Sequence, residues 1–335
     1  MSSAENAILY YESGQDPTEF AALIDSGDHR YFKSKAELWS RRGGFEPDIK
    51  PNGLATGGIV TPAISGEDNK IDVAALSCYL FGQKCLIAAS LNLPCTRPTS
   101  PNTHVVNSVT VNSSKEISIL AGTSGLSFSE IRGTAGGAPF IPITSIEIAQ
   151  VRLSSSANAP VFASEIKSQP NIHTEWYHFP TWQIKCLVVE KRIIGNAGII
   201  FDTPLPLVHV GGQPKPVFAK YNEPVFSEIR KASDFKPSET THSISSKQIY
   251  GMSVGNKSSS LGQGSFNALL DDGISDNLLE LKNENLWFKF KPNRLADPYI
   301  LMQGYLGISR TFPAGDSISA ACTISSEQAA IEVII

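Results

Sequence analysis

His173 and His178 stand five residues apart in an aromatic stretch, a spacing at which two imidazoles could share a metal ion. Zinc chemistry asks for more, either an HExxH pattern, a third ligand at short spacing or a neighbouring cysteine pair. None accompanies them, so solvated or core histidines are expected. Asp271-Asp272-Gly273-Ile274-Ser275-Asp276 begins like a calcium loop, but Asn277, Leu278 and Leu279 stand where further carboxylates would be needed. A turn leading into a capped helix is expected there. Gly262-Gln-Gly-Ser is a glycine loop without the Lys-Ser/Thr of a phosphate cradle, and neither a GxSxG elbow nor a GxGxxG fingerprint occurs. The 32 acidic residues offer many carboxylate pairs, yet nothing selects two for glycoside hydrolysis. The expectation is a protein that is not an enzyme, with no catalytic, cofactor-binding or metal-binding residues.

The elements that would carry any site read mostly as strands. Gly 26 and Pro 21 in 335 residues put a breaker at about every seventh position, which excludes helical bundles and coiled coils. Val109 and Val111 alternate with polar residues, Asn112 to Lys115 can turn, and Ile117 and Ile119 resume the alternation, predicting a hairpin. Ile146 and Ile148 share one phase while Val151 and Leu153 share the other, so a β-bulge is expected near Ala149 and Gln150. Ile318, Ala320, Cys322 and Ile324 alternate strictly after the tight stretch Thr311 to Asp316, with Ser317, Ser319, Ala321 and Thr323 as the small polar face. Leu286, Phe288 and Phe290 predict one apolar strand face, with Trp287, Lys289 and Lys291 opposite.

Three helices are also expected. Lys35 to Trp39 is short; Ile71 to Phe81 has Val73, Leu76, Tyr79 and Leu80 at helical spacing after Asp72; and Ser275 to Glu284 has Ser275 as N-cap. The glycine-rich stretch Pro51 to Gly66 reads as a surface excursion. Asn256 to Gly264 reads as a loop, and both segments are expected to become ordered only against another subunit. Asn171 to Pro237, with Trp176-Tyr177-His178-Phe179-Pro180 and repeated prolines, reads as a connector with edge strands, because proline cannot donate to an interior ladder.

Composition narrows function further. Charged residues are 18% of the chain and the formal charge is −4, while Ser and Thr together number 57. A protein that wraps nucleic acid through a basic face is excluded, since no basic run is longer than a pair such as Arg41-Arg42. No apolar run approaches the roughly 18 residues of a membrane span, and the N-terminus lacks the basic-then-apolar order of a signal peptide. Cys78, Cys85, Cys95, Cys186 and Cys322, without CxxC spacing, read as buried free thiols in a reducing compartment. A hydroxyl-rich, weakly charged β chain suits self-association, because its sheet edges must be closed or covered.

Pro51-Asn-Gly-Leu-Ala-Thr-Gly-Gly58, Gly136-Gly-Ala-Pro-Phe-Ile-Pro142 with Ile146-Glu-Ile-Ala-Gln-Val-Arg-Leu153, Ser258-Ser-Ser-Leu-Gly-Gln-Gly-Ser-Phe266 and Gly304 to Ala320, taken in order, resemble the major tail tube proteins of long, non-contractile-tailed phages (siphophages), in particular the flagellum-attaching group. The resemblance covers the chain from about residue 50 onward. It implies tube-type β-sandwich or barrel domains with short flanking helices, whose inner sheets join those of neighbouring chains into a continuous ring barrel. Rings stack through loops and arms, and the bore delivers the genome. Implied partners are other copies of the chain, tape measure proteins and tail terminator or tip proteins; DNA passes the lumen without specific binding and no membrane is involved. The implied location is the virion tail, assembled in the host cytoplasm.

Along the chain this gives an N-terminal arm or edge layer (1–50), a first tube-like β domain (51–170), a Pro-rich connector with outer loops (171–237) and a second tube-like β domain (238–335). Ile143 to Ile166 and Tyr299 to Ile324 share the order strand, turn, strand about half a chain apart, with Arg152 and Arg310 at matching places. If they are equivalent, three chains close a pseudo-hexameric ring; otherwise six do. A head or decoration protein and a carbohydrate-binding tail module, stacking sugars on Trp176, Tyr177 and Trp182, are the alternatives.

Overall fold

The computed structural model describes residues 6–169, 173, 182–185, 188–189, 193–194, 196–250 and 252–334. The protein is mainly β, with 50% of the chain in strands and 4% helical. Its strands form several open sheets, none of which closes into a barrel among the described residues.

The largest sheet has eight strands. Asn222–Glu228 lies at one edge, followed by Ile8–Pro17, Asn285–Lys291, Tyr299–Thr311, Ser319–Ser325, Gly264–Leu269 and Ala232–Lys236, with Ile331–Val333 pairing to the start of Tyr299–Thr311. The two edge strands are consecutive in sequence and only residues 229–231 separate them, so the sheet must curl until its edges approach. The period-2 pattern drives the curl: Ala320, Cys322 and Ile324 turn inward onto Phe266, Phe288 and Leu306, while Ala321 and Thr323 stay exposed. Each large side chain fully buried contributes about 1.5–3 kcal/mol.

A second core gathers Leu23, Phe32, Trp39, Ile49, Ile199, Val217 and Tyr221 between two small sheets. Gly198–Phe201 pairs with Tyr31–Lys33, and Val217–Lys220 pairs with both Asp48–Pro51 and Ala21–Ala22. The third core is a sandwich built from residues 53–167, among them Ile71, Val73, Cys78, Val109, Val111, Ile148 and Leu153. Connectivity is therefore nested: the sandwich is inserted into the second unit, and that unit into the curled sheet.

This nesting corrects the linear reading of two segments. The expected arm of residues 1–50 supplies an interior strand, because Ile8–Pro17 hydrogen-bonds on both sides. The described part of the expected connector 171–237 is woven into three sheets, with Gly198–Phe201 in one, Val217–Lys220 in another and both Asn222–Glu228 and Ala232–Lys236 in the eight-stranded one, and it adds two short hairpins. The expected repeat also differs in detail. Tyr299–Thr311 and Ser319–Ser325 pair over seven rungs, whereas Ile146–Leu153 pairs with the two-residue strand Ile166–Lys167.

Local expectations divide similarly. The hairpin forms, with Val105–Val111 against Ile117–Ala121 and Val111 facing Ile117. The bulge forms too: Val109 faces Ala149 while Thr110 faces Glu147, leaving Ile148 as the extra residue. The helix expected over Ile71 to Phe81 is instead two strands, Lys70–Val73 and Leu76–Leu80, meeting at a corner at Ala74 and Ala75. Lys35 to Trp39 is non-helical and packs Trp39 on Tyr221, ring centroids 5.1 Å apart. The helix expected from Ser275 to Glu284 shrinks to Asn277–Glu280, preceded by Asp276 rather than Ser275 at its N-cap.

Pro51 to Gly66 is no excursion. It contains the strands Gly53–Gly57 and Val60–Pro62, with Leu54 and Val60 in the sandwich core. Gly57 (φ 72°) turns this corner, where a Cβ would lie 2.3 Å from the Ala75 carbonyl oxygen. Trp287 is fully buried rather than sharing a polar face with the lysines, because Leu38, Leu301 and Val333 cover it and its indole N–H donates to the Trp39 carbonyl at 3.0 Å. Cys78, Cys85, Cys95 and Cys322 are buried free thiols, while Cys186 lies outside the described residues.

Candidate functional site: a polar sheet face, a projecting hairpin and a buried charge network

One half of the curled sheet's outer face is open. Across its strands Asn267, Ala321 and Ser309 lie in one row, and Ser265, Thr323 and Gly307 in the next. All are small or carry amide and hydroxyl groups, with Lys236 opposite Ser265 at the edge. The polar face expected from Ser319, Ala321 and Thr323 is thus present and turned away from the protein's own core, while Ser317 sits in the preceding turn. It offers hydrogen bonds, and its charges are confined to the edge strand, where Asp234 accepts from the Asn267 side-chain amide at 3.0 Å and Lys236 stands opposite Ser265.

At the edge of this sheet, Thr240–Ile249 and Met252–Leu261 form a hairpin of ten rungs, from Thr240 opposite Leu261 to Ile249 opposite Met252. It is inserted between the paired strands Ala232–Lys236 and Gly264–Leu269, and the Gly262 N–H donates to the Glu239 carbonyl at its base. Neither strand pairs with any other among the described residues. Ten residues at about 3.3 Å each extend roughly 30 Å. Serine and threonine hydroxyls meet across it, Thr241 with Ser260 at 2.9 Å and Ser243 with Ser258 at 2.6 Å. Ile244 and Tyr250 are exposed. The loop expected at Asn256 to Gly264 is mostly the second strand of this arm, a correction whose physical reason is the cross-strand hydroxyl pairing of Thr241 with Ser260 and of Ser243 with Ser258.

The sandwich carries the opposite chemistry. Glu147, 3% exposed, receives a hydrogen bond from Arg132 Nη2 at 2.6 Å, another from the Ser108 hydroxyl, and contacts His173 Nε2 at 3.2 Å. Burial works to raise its pKa, but His173 and Arg132 outweigh it and hold the carboxyl down to about 2. His173 is fixed from its other side by the Gln169 N–H, which donates to Nδ1 at 2.7 Å. It is a core histidine, one of the two readings weighed from the sequence; His178 lies outside the described residues, as do Trp176 and Tyr177.

The network pins a glycine-rich loop, residues 122–139, onto the sheet. Arg132 also donates to the Pro139 carbonyl, and at Gly136 (φ 77°) a Cβ would sit 1.9 Å from the Ser127 carbonyl oxygen. Beside it, Arg152 makes a two-pronged pair with Glu130 at 2.7 and 2.9 Å. Arg310, its expected counterpart, donates instead to the Gly273 carbonyl at 2.6 Å. In the stretch that resembled a calcium loop, the Asp276 carboxylate accepts from the N–H groups of Asp271, Asp272 and Gly273, so its oxygens are committed to a turn. Sequence reading missed Glu147 and Arg132, since Glu147 sits on a strand whose bulge hides which face it shares.

The chain matches no protein-family model, and no curated protein matches it significantly.

Proposed function

We propose that this chain is a structural subunit that polymerises into stacked rings, forming the tail tube of a siphophage through which the genome passes into the host. The observation that carries the reading is the open, weakly charged face centred on Ala321 and Thr323, beside a long arm that, among the described residues, pairs with itself alone. The face supplies a wall that ignores phosphates. The arm supplies reach to a neighbouring ring, where burying Ile244 and Tyr250 would offset part of the ordering cost. The stretches that resemble tail tube proteins include the end of this arm and, on this face, Gly307 and Ser309 with Ser265 and the first residues of Ser319–Ser325.

Having one curled eight-stranded sheet per chain favours six copies per ring over three. In that arrangement the sandwich of residues 53–167 decorates the outside, and tape measure and terminator proteins meet the tube in the virion tail. Electron microscopy of purified, concentrated protein tests the reading: hollow tubes with a sixfold bore are expected. Persistent discrete monomers, or solid or sheet-like assemblies, would overturn it.

A further inference from the structure

We propose that Cys78 and Cys85 are a redox-active pair that closes into an intrachain disulfide when the folded protein meets a low-molecular-weight disulfide. The inference rests on strand register and is independent of the tube reading. Leu76–Leu80 and Gln83–Ile87 are joined by Phe81 and Gly82, both at positive φ (54° and 79°), as a two-residue type I′ turn requires. That turn fixes the register, placing Leu80 opposite Gln83 and Cys78 directly opposite Cys85. Residues facing each other across antiparallel strands project from the same face, and both thiols belong to the sandwich core.

Counting from the turn, Leu80–Gln83 and Cys78–Cys85 are both hydrogen-bonded pairs, whose Cα atoms lie about 5.5 Å apart, inside the roughly 4.4–6.8 Å range of disulfides. Their Cβ atoms, about 5.5 Å apart, must approach by about 1–1.7 Å. The Gln83–Ile87 strand can absorb that movement, since among the described residues it is a sheet edge paired with Leu76–Leu80 alone. The remaining strain makes the bond readily reducible, which suits a reversible latch better than a permanent staple.

The chemistry balances with a reagent RS–SR. Cys85, 8% exposed against 0% for Cys78, is the sulfur such a reagent reaches first. Its thiolate attacks one sulfur of RS–SR, the S–S bond breaks, and RS⁻ departs to be protonated. Cys78 then attacks the Cys85 sulfur and expels the second RS⁻. The two protein thiols lose two electrons and two protons, and the reagent becomes two RSH. Burial, reinforced by the neighbouring Cys85, pushes the Cys78 thiol up to about 12, so thiolate is scarce at neutral pH. Reaction therefore waits on transient opening of the hairpin.

The test uses the full chain with oxidised glutathione at neutral pH, followed by alkylation in denaturant, proteolysis and non-reducing mass spectrometry. The expected result is a linked pair of peptides bearing Cys78 and Cys85, reversed by dithiothreitol, with Cys95 and Cys322 alkylated. Cys95→Ser should leave the link intact, and Cys85→Ser should leave Cys78 alkylated. Glutathione retained on Cys85 without the link, a link from either residue to another cysteine, or full alkylation after a time in which the urea-unfolded chain has oxidised would each overturn the proposal.

Discussion

Glu147 and Glu12 are both buried carboxyls, yet they meet the interior on opposite terms. Glu147, in the sandwich, has a guanidinium and an imidazole against it, and its pKa is held down to about 2. Glu12, in the curled sheet, is fully buried and accepts only from neutral donors, the Ser40 hydroxyl and the Trp287 N–H at 3.1 Å. Burial there prevails over those bonds and over Arg42, and the pKa rises. At Glu147 the His173 hydrogen bond and the Arg132 charge together outweigh burial, whereas at Glu12 two neutral donors and a more distant Arg42 do not. The two regions should therefore answer acid in opposite directions.

The largest expected effect breaks the sandwich side of the comparison. Glu147→Ala leaves Arg132 and His173 without their anion, and removing one partner of a buried pair costs about 3–5 kcal/mol. The urea midpoint should fall accordingly, and proteolysis should open the 122–139 loop first. In the parent protein Glu147 has a folded pKa below its unfolded value of 4.5. Its contribution is present above that value and lost as pH falls toward about 2, so the mutant should lack this acid-dependent component.

Glu12→Gln sharpens the other side. Its folded pKa lies above the unfolded value of 4.5, so the contribution is fully present below that value and is lost as pH rises through the folded pKa. Glutamine keeps an acceptor for the Trp287 N–H and can donate to the Ser40 hydroxyl. The mutant should gain roughly 1 kcal/mol near neutrality, the scale of one buried hydrogen bond, and the gain should vanish in acid. Denaturation series from pH 4 to pH 8, in steps of about one unit, would read the slope directly; a gain that persists in acid would sink the explanation.

How legible these features were depends on how local their causes are. The Val105–Val111 hairpin and the Ser319–Ser325 alternation were readable, since neighbouring residues write both patterns. The Ile71 to Phe81 segment misled for a physical reason. Ile71 and Val73 alternate, Leu76, Cys78 and Leu80 alternate, and two alanines at the corner shift the phase between them. That shift imitates helical spacing. Trp287 misled because its covering residues, Leu38 and Val333, are remote in sequence. Nesting, and the meeting of Glu147 with His173 and Arg132, come from non-local pairing that no window of sequence records. The small polar face around Thr323 was legible as a face; which side of the sheet it occupied was not.

Shortening the projecting arm probes assembly with little effect on folding. Replacing Ser243 to Ser258 by a two-residue Asn-Gly turn removes rungs that pair only with each other, so stability should change by no more than about 0.5 kcal/mol. If the full chain forms tubes as proposed, the shortened subunit should remain monomeric at the same concentrations. Normal tubes from the shortened chain would remove the arm from the stacking contact.

Thr323→Arg is expected to change stability least of all, because the side chain is exposed and its neighbours in the row, Ser265 and Gly307, leave room above the sheet. If this face lines the bore, six arginines per ring line each level of the tube, and the wall gains what the native sequence withholds, a regular array of phosphate-binding groups. Tubes should still assemble, since the bore side makes no subunit contact, but they should now hold duplex or single-stranded DNA at low ionic strength and release it as salt rises. Nuclease protection of DNA co-assembled with the tubes, measured across a salt series, separates the outcomes. Tubes that assemble but protect nothing would place this face outside the bore. Loss of assembly with an unchanged melting temperature would make it a contact surface between subunits.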